Sequence, residues 1–223
     1  MQLTVKDAAK TLNVTEKTIY RWIQSGGLPA YRVAGTYRLN RAMLFEWATS
    51  KRVNFPLGDP ALEPESLPLP TLAQTLQEGG IHYRVSGNTK ADVLAAIVGL
   101  LKLPDSVDRQ GLLQALLARE QLQSTGIGDG IALPHVRNPA LLEIPTPMVC
   151  LCFLENPIEY GALDGKKVWG LFIPLSPSVR IHLHLLSRIA FALRNPKFKR
   201  LLDDEGRRDE ILDAARALEP DPA

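Results

Sequence analysis

Five prolines crowd into residues 53–70, at Pro56, Pro60, Pro64, Pro68 and Pro70, with no lysine or arginine among them. Proline removes an amide donor and disfavours helix at the residue before it, so this stretch cannot thread a helix or a central strand. It predicts an extended, semi-rigid connector between two units that fold separately. The expected division is a small head at 1–52, a linker at 53–70 and a body at 71–219, with the end EPDPA frayed.

Charge follows the same division. The head has nine Lys/Arg against three Asp/Glu, a net of +6, while the linker carries three acids and the whole chain only +2. A basic head on a nearly neutral body points to a polyanion partner for the head alone. With 45% hydrophobic residues the chain has enough apolar material for packed cores. No run approaches the roughly 18 uncharged apolar residues of a membrane span, so no membrane insertion is expected. The start, MQLTVKDAAK, is charged where a signal peptide needs an apolar core, and a cytoplasmic protein is expected. Cys150 and Cys152 are one residue apart in MVCLCFL, which reads as a buried strand with two free thiols on one side. Neither their spacing nor the four histidines make a metal site, so no metal and no cofactor are expected.

The head reads as short helices. Thr4 with Asp7 reads as an N-cap, and Val5, Ala8, Ala9 and Leu12 have helical spacing. Thr15 can cap a second helix, TEKTIYRWIQSGG, which ends at Gly26-Gly27. Ile19, Trp22 and Ile23 share its inner face, and Lys17, Thr18, Arg21 and Gln24 its outer one. YRVAGTYRL, residues 31–39, reads as a hairpin carrying Arg32 and Arg38, and 41–50 as a closing helix with Leu44, Phe45 and Trp47 as anchors. A capped helix with short polar and basic residues on one face suits a major groove. On charge alone, an ordinary solvated face fits equally well.

The body predicts helices at about 71–77, 89–102, 108–120 and 178–194, with shorter ones after Pro196 and Gly206. Strands are expected at about 81–85, 130–134, 147–154 and 167–175. The fold class is therefore α/β, a mixed sheet with helices on both faces, preceded by a small, mostly helical winged helix-turn-helix unit.

QSTGIGDGIALPHVRNP, residues 123–139, concentrates the chemistry. Gly126, Gly128 and Gly130 alternate, so the backbone can turn sharply and present amides as an anion nest, with the Ser124 and Thr125 hydroxyls beside it. Pro134 fixes the chain, and His135 follows. A neutral imidazole with a reference pKa of about 6.5 is a nucleophile that can take a phosphoryl group and give it up. No Gly-Lys-Ser/Thr follows, so this is not a Walker loop. By itself, a histidine at a strand end can equally be a packing residue.

Two resemblances add to this reading. Residues 3–49, with the paired alanines at 8–9, the run T-E-K-T-I-Y-R-W at 15–22 and R-V-A-G-T-Y-R at 32–38, resemble the excisionase-like winged helix-turn-helix family related to the MerR type. The resemblance implies binding of double-stranded DNA through Thr15, Lys17, Thr18, Arg21 and Arg38. A module this small makes few contacts, so a homodimer, or binding to repeated half-sites, is expected. Residues from about 70 to 218 resemble the enzyme IIA domain of the fructose, mannitol and nitrogen-regulatory branch of the bacterial phosphotransferase system. The matching pieces are Arg119-Glu120, S-T-G-I-G-D-G-I-A-L-P-H at 124–135, the strand ending near Pro157 and I-H-L-H-L-L-S at 181–187. The resemblance implies that His135 accepts phosphate from the histidine phosphocarrier protein. Arg119 and His182 are then assisting residues, and Ser124, Thr125, Gly126 and Gly128 line the phosphate. On a helix His182 and His184 point about 200° apart. His182 lies in the row of Leu185 and Ile189, whereas His184 shares the Ser187–Arg188 face and is expected in solvent. Many nitrogen-branch members have Gly and Lys after the active histidine, where this chain has Val136 and Arg137, which bears on partner choice.

Together these features predict a DNA-binding regulator in which phosphorylation of His135 is coupled to transcription. The alternative is a phosphocarrier that passes its phosphoryl group to an enzyme IIB, with the head serving protein contacts.

Overall fold

A computed structural model of the protein describes residues 2–25, 27–33, 35–40, 43–44, 47–48, 51, 53, 69–137, 139–142 and 144–219. The linker between 53 and 69 lies outside them.

In the head, β1 (Gln2–Thr4) runs into α1 (Val5–Thr11), followed by α2 (Glu16–Gln24), β2 (Tyr31–Val33) and β3 (Thr36–Asn40). Thr4 and Asp7 form a reciprocal capping box, and the Thr15 hydroxyl accepts the Thr18 amide at 3.2 Å. The hairpin β2–β3 appears as expected. The sequence reading missed β1, which pairs antiparallel with β3 (Leu3 opposite Leu39) to make a three-stranded sheet. Three residues running straight into a cap are too few for a period-2 signal. Ala8, Leu12, Ile19, Leu28, Leu39 and Leu44 are buried together as the head's core. Of the expected closing helix, Met43, Leu44, Trp47 and Ala48 are helical; Phe45 and the other positions lie outside the described residues.

The body contains α3 (Leu72–Gly79), β4 (Ile81–Val85), α4 (Lys90–Leu100), α5 (Arg109–Leu122), β5 (Gly126–Gly128), β6 (Ile131–Ala132), β7 (Met148–Ile158), β8 (Val168–Leu175), α6 (Val179–Leu193), α7 (Pro196–Asp203) and α8 (Arg208–Arg216). Its sheet has the order β4-β7-β8-β6-β5. β4 is parallel to β7, β7 antiparallel to β8, β8 parallel to β6, and β6 antiparallel to β5, so the sheet is mixed.

The alternation along β7 builds both faces. Cys150, Cys152 and Leu154 enter one core, with Leu94 and Ile97 of α4 and Leu112 and Leu116 of α5. Val149, Leu151 and Phe153 enter the other, with Leu76 of α3, Leu185 and Ile189 of α6, Phe198 of α7 and Ile211 of α8. Each face of a period-2 strand needs its own cover, which is why helices lie on both sides. Among the described residues, no helix is long and apolar enough to cross a membrane.

One sequence expectation for the body needs correction. Residues 126–128, read as an open loop, form the edge strand β5. β7 runs past the periodic stretch 147–154 to Ile158, close to the Pro157 end that the resemblance implied, with a register shift between Phe153 and Ile158 in its pairing with β8.

Candidate functional site

The site is organised by a hairpin. β5 and β6 are joined by Asp129 and Gly130, at φ 52° and 76°. Two central residues of positive φ suit the right-handed twist of a tight hairpin, and Asp-Gly is a sequence that adopts them. The Gly130 carbonyl accepts the amides of Trp169 (2.8 Å) and Gly170 (3.1 Å), which seats the turn on β8. Trp169 is parallel to Phe153, which stacks on Tyr83.

After β6 the Leu133 amide donates to the Thr125 carbonyl at 2.9 Å, Pro134 is buried, and His135 emerges half-buried. The His135 Nδ1 lies 2.7 Å from the Leu133 carbonyl oxygen. A carbonyl only accepts, so Nδ1 carries the proton and Nε2 keeps its lone pair. Burial lowers the His135 pKa from its ordinary value, and the charges of Arg119 and Arg137 push the same way; the Leu133 carbonyl and Glu120 oppose them. The imidazole is therefore neutral at physiological pH.

His182 stands near the start of α6 and is 3% exposed. Its ring centroid lies 5.6 Å from that of His135. Burial, followed by the charge of His135, brings its pKa down to about 4. Its Nδ1 is buried without a hydrogen-bond partner among the described residues. Arg119, in the last turn of α5, donates to the Gln123 carbonyl at 2.8 Å, which uses one of its five N–H groups. His135 and His182 are thus brought together, and the charge of Arg119 acts on His135.

The hydroxyl groups differ from expectation. Ser124 Oγ donates to the Tyr160 carbonyl (2.7 Å), and Thr125 Oγ1 donates to Glu120 (2.5 Å), as does the Thr125 amide (3.0 Å). The Gly126 amide donates to Ser124 Oγ (3.2 Å). These protons are bonded inside the protein, so Ser124 and Thr125 shape the hairpin. Gly126 lies against Ala162, with 2.8 Å between an added Cβ and that residue's Cα, and Gly128 sits at φ 102°. Both glycines answer to packing and backbone.

His184 is also not in solvent. It is half-buried, and its Nε2 lies 3.0 Å from the Pro70 carbonyl, because the chain leaving the linker crosses that face of α6. His82, to which the sequence assigned no role, is half-buried, and its pKa is raised chiefly by the Cys150 thiol beside it. Cys150 and Cys152 are free and buried, with sulfurs 3.5 Å apart.

Glu120 is matched to the family in the sequence but given no role there. It is 6% exposed and receives Lys90 Nζ at 2.9 Å in addition to the two Thr125 donors. The available signal was an acid at an inward position of α5, in line with Leu112 and Leu116.

In the head, Lys17 and Arg21 lie one turn apart on the exposed face of α2, and Thr18 is half-buried beside them. The Thr15 and Thr18 hydroxyls are 3.0 Å apart. Arg38 is half-buried on the central strand, where its charge acts on Asp7. Arg32, carried by the hairpin, lies over the Tyr37 ring at 4.9 Å and donates to its hydroxyl at 3.3 Å.

This sheet and its paired imidazoles define an enzyme IIA-type α/β unit. The crystal structure of the nitrogen regulatory protein IIA-Ntr from Neisseria meningitidis aligns with 60% of this chain and 92% of its own, at TM-score 0.53 and 26% identity. IIA mannitol from Escherichia coli shares the fold at TM-score 0.51 and 19% identity, over 62% of this chain and 96% of its own. Residues 74–216 match the phosphoenolpyruvate-dependent sugar phosphotransferase system EIIA 2 family, and the chain belongs to that family. Residues 3–52 match a helix-turn-helix domain family. In sequence, the nitrogen regulatory protein of Pseudomonas aeruginosa is 40% identical over 126 residues, 55% of this chain and 79% of its own. That of Escherichia coli K12 is 36% identical over 135 residues, 59% and 80% respectively.

Proposed function

We propose that the protein is a DNA-binding regulator whose body accepts a phosphoryl group on His135 Nε2 from the histidine phosphocarrier protein. The observation that carries this reading is the 2.7 Å contact of His135 Nδ1 with the Leu133 carbonyl, which leaves Nε2 as the nucleophilic nitrogen. In the transfer the Nε2 lone pair attacks phosphorus, the P–N bond to the donor imidazole breaks, and its electron pair leaves with the donor. The bonds exchanged are of the same kind, so the step is reversible and needs no oxidant or reductant. The protein's part is to position the nucleophile and stabilise charge on the phosphoryl oxygens. His182 is the candidate donor to those oxygens, and Arg119 the candidate counter-charge.

Phosphorylation adds close to two negative charges beside His135. The reading couples this change to the head, where Lys17, Thr18 and Arg21 on α2 contact DNA and Thr15 caps the helix. Arg38 acts at the root of the wing, and a homodimer supplies two heads. Residues 1–52, 53–70 and 71–219 then serve as reader, spacer and sensor. Linkage demands that DNA shift phosphoryl affinity by the same factor that phosphorylation shifts DNA affinity.

The test is phosphotransfer from phosphoenolpyruvate, enzyme I and the phosphocarrier to wild type and His135→Ala, followed by a DNA mobility shift with each form. Transfer to wild type only, with an operator affinity that changes on phosphorylation, supports the regulator. Equal operator affinities remove it. Rapid loss of label to an added enzyme IIB, with no DNA binding, favours the relay.

A further inference from the structure

We propose that Glu120 positions the phosphoacceptor: its carboxylate grips Thr125, and a backbone relay from Thr125 through Leu133 holds the His135 ring with Nε2 outward. This inference rests on the reading of His135 as the nucleophile and names a residue that this reading does not use.

The relay has three links. Glu120 Oε2 accepts both the amide and the hydroxyl of Thr125, at 3.0 and 2.5 Å. The Thr125 carbonyl accepts the Leu133 amide at 2.9 Å. The Leu133 carbonyl accepts His135 Nδ1–H at 2.7 Å. Pro134 confines the residue before it to extended backbone, so fixing the Leu133 amide constrains the direction in which the Leu133 carbonyl points. That carbonyl decides which imidazole nitrogen holds the proton. Hydrogen bonds in series also polarise one another.

Glu120 is placed for this task at some cost. A carboxylate 6% exposed must have its oxygens filled, and here Lys90 Nζ fills Oε1 at 2.9 Å. Lys90 also lies over the Tyr160 ring at 4.9 Å, and the Tyr160 carbonyl accepts Ser124 Oγ. The end of α5 and the start of the hairpin are thus held at Ser124 and Thr125 from two sides. The charge of Arg119, one residue before Glu120, acts on His135, so one helix turn carries both that charge and the grip. An apolar residue at 120 would fill the space but leave the Thr125 amide and hydroxyl without an acceptor.

The experiment is ring ¹⁵N NMR of His135 in the full unphosphorylated chain, with phosphotransfer rates measured alongside. Wild type is expected to show a single tautomer, protonated at Nδ1. Glu120→Gln keeps the shape but loses the charge and one acceptor; mixed tautomers and transfer slowed about tenfold are expected. Thr125→Val removes only the hydroxyl link and is expected to move both readings the same way by less, while Thr125→Ser restores them. A folded Glu120→Gln that keeps the wild-type tautomer overturns the proposal. If that variant does not fold, an unchanged tautomer in Thr125→Val does the same. A wild type that shows the Nδ1–H tautomer yet takes up no phosphate sinks the phosphoacceptor reading and leaves the relay standing.

Discussion

His135 and His182 face each other with ring centroids 5.6 Å apart and planes tilted by 45°, one half-buried after a hairpin and the other buried near a helix start. Two imidazolium ions this close would repel in a poorly solvated place, and burial already disfavours either charge. Both rings are therefore neutral at physiological pH, one offering a lone pair and the other an N–H. His182→Ala is expected to slow phosphotransfer about 10²-fold without abolishing it, because it removes a donor to the phosphoryl oxygens but leaves the nucleophile. His135→Ala is expected to abolish transfer. Stopped-flow transfer from the labelled phosphocarrier measures both, and an unimpaired His182→Ala excludes its donor role.

The same burial predicts a dependence of stability on acid. His182 titrates at about 4 in the folded protein against an ordinary value of 6.5. Between those values the unfolded chain takes up a proton that the folded chain refuses, so stability is full above about pH 6.5 and is lost as pH falls towards 4. The difference corresponds to about 3 kcal/mol from this one group. His135 is lowered as well and adds loss in the same direction, with Arg119 and Arg137 deepening its shift and Glu120 opposing it. Urea unfolding at pH 7 and pH 4.5 is expected to show a smaller acid loss in His182→Gln than in wild type. Equal losses in the two proteins would mean that His182 titrates normally.

The tautomer fixed by Leu133 predicts the isomer of the product. Phosphorylated protein is expected to carry its phosphoryl group on Nε2 of His135, with Nδ1 still bonded to the carbonyl. ³¹P and ¹⁵N spectra distinguish the two phosphohistidine isomers. An Nδ1 adduct would require the 2.7 Å contact to break and would overturn the proposed geometry.

Much of this architecture could be read from local pattern. Capped helices such as those following Thr4, Thr15 and Ser178 announce themselves by residue type and spacing, and so does the β7 alternation of Val149, Leu151 and Phe153 with Cys150, Cys152 and Leu154. The histidines that meet, His135 and His182, follow from the resemblance to the enzyme IIA family; the proline step and the helix face of Leu185 and Ile189 agree with it but do not single them out. What escaped depends on partners distant in sequence. Glycines 126 and 128 look like loop, yet they form an edge strand because Ala132 and Ile131 pair with them. The bonds of Ser124 to Tyr160 and of Thr125 to Glu120 have no signal in the local sequence. His184 looks solvent-facing until Pro70 crosses it, 114 residues earlier in the chain.

Gly130 offers a test of how tightly the hairpin is seated. An added Cβ would stand 2.0 Å from Trp169 Nε1 and 2.2 Å from its Cδ1, at a backbone φ of 76°. Trp169 lies parallel to Phe153, so yielding would disturb that pair. Gly130→Ala therefore combines a strained left-handed residue with overpacking, and a loss of about 2–5 kcal/mol in urea unfolding is expected. Gly128→Ala is the control, since its Cβ would come only within 3.4 Å of Asp164 and only the φ of 102° is strained. A loss of about 1–3 kcal/mol is expected there. If the two variants prove equally stable, the contact with Trp169 is not what fixes the turn.

In the head, α2 exposes Lys17 and Arg21 one turn apart, above a core in which Ile19 is fully buried. Removing either charge should leave that core intact and act only on binding. If both residues contact phosphates, Lys17→Ala and Arg21→Ala each lower affinity for every sequence and reduce the slope of log affinity against log salt by about 1. If Arg21 instead reads a base edge, Arg21→Ala costs about 1–3 kcal/mol on the operator and little on random DNA. Arg32→Ala is expected to act differently, because its guanidinium is engaged with Tyr37; it should loosen the wing and lower thermal stability before it affects salt dependence. Fluorescence anisotropy across a salt series, on operator and random duplexes, separates these cases. Should both α2 variants bind as wild type at every salt concentration, the second helix does not dock on DNA.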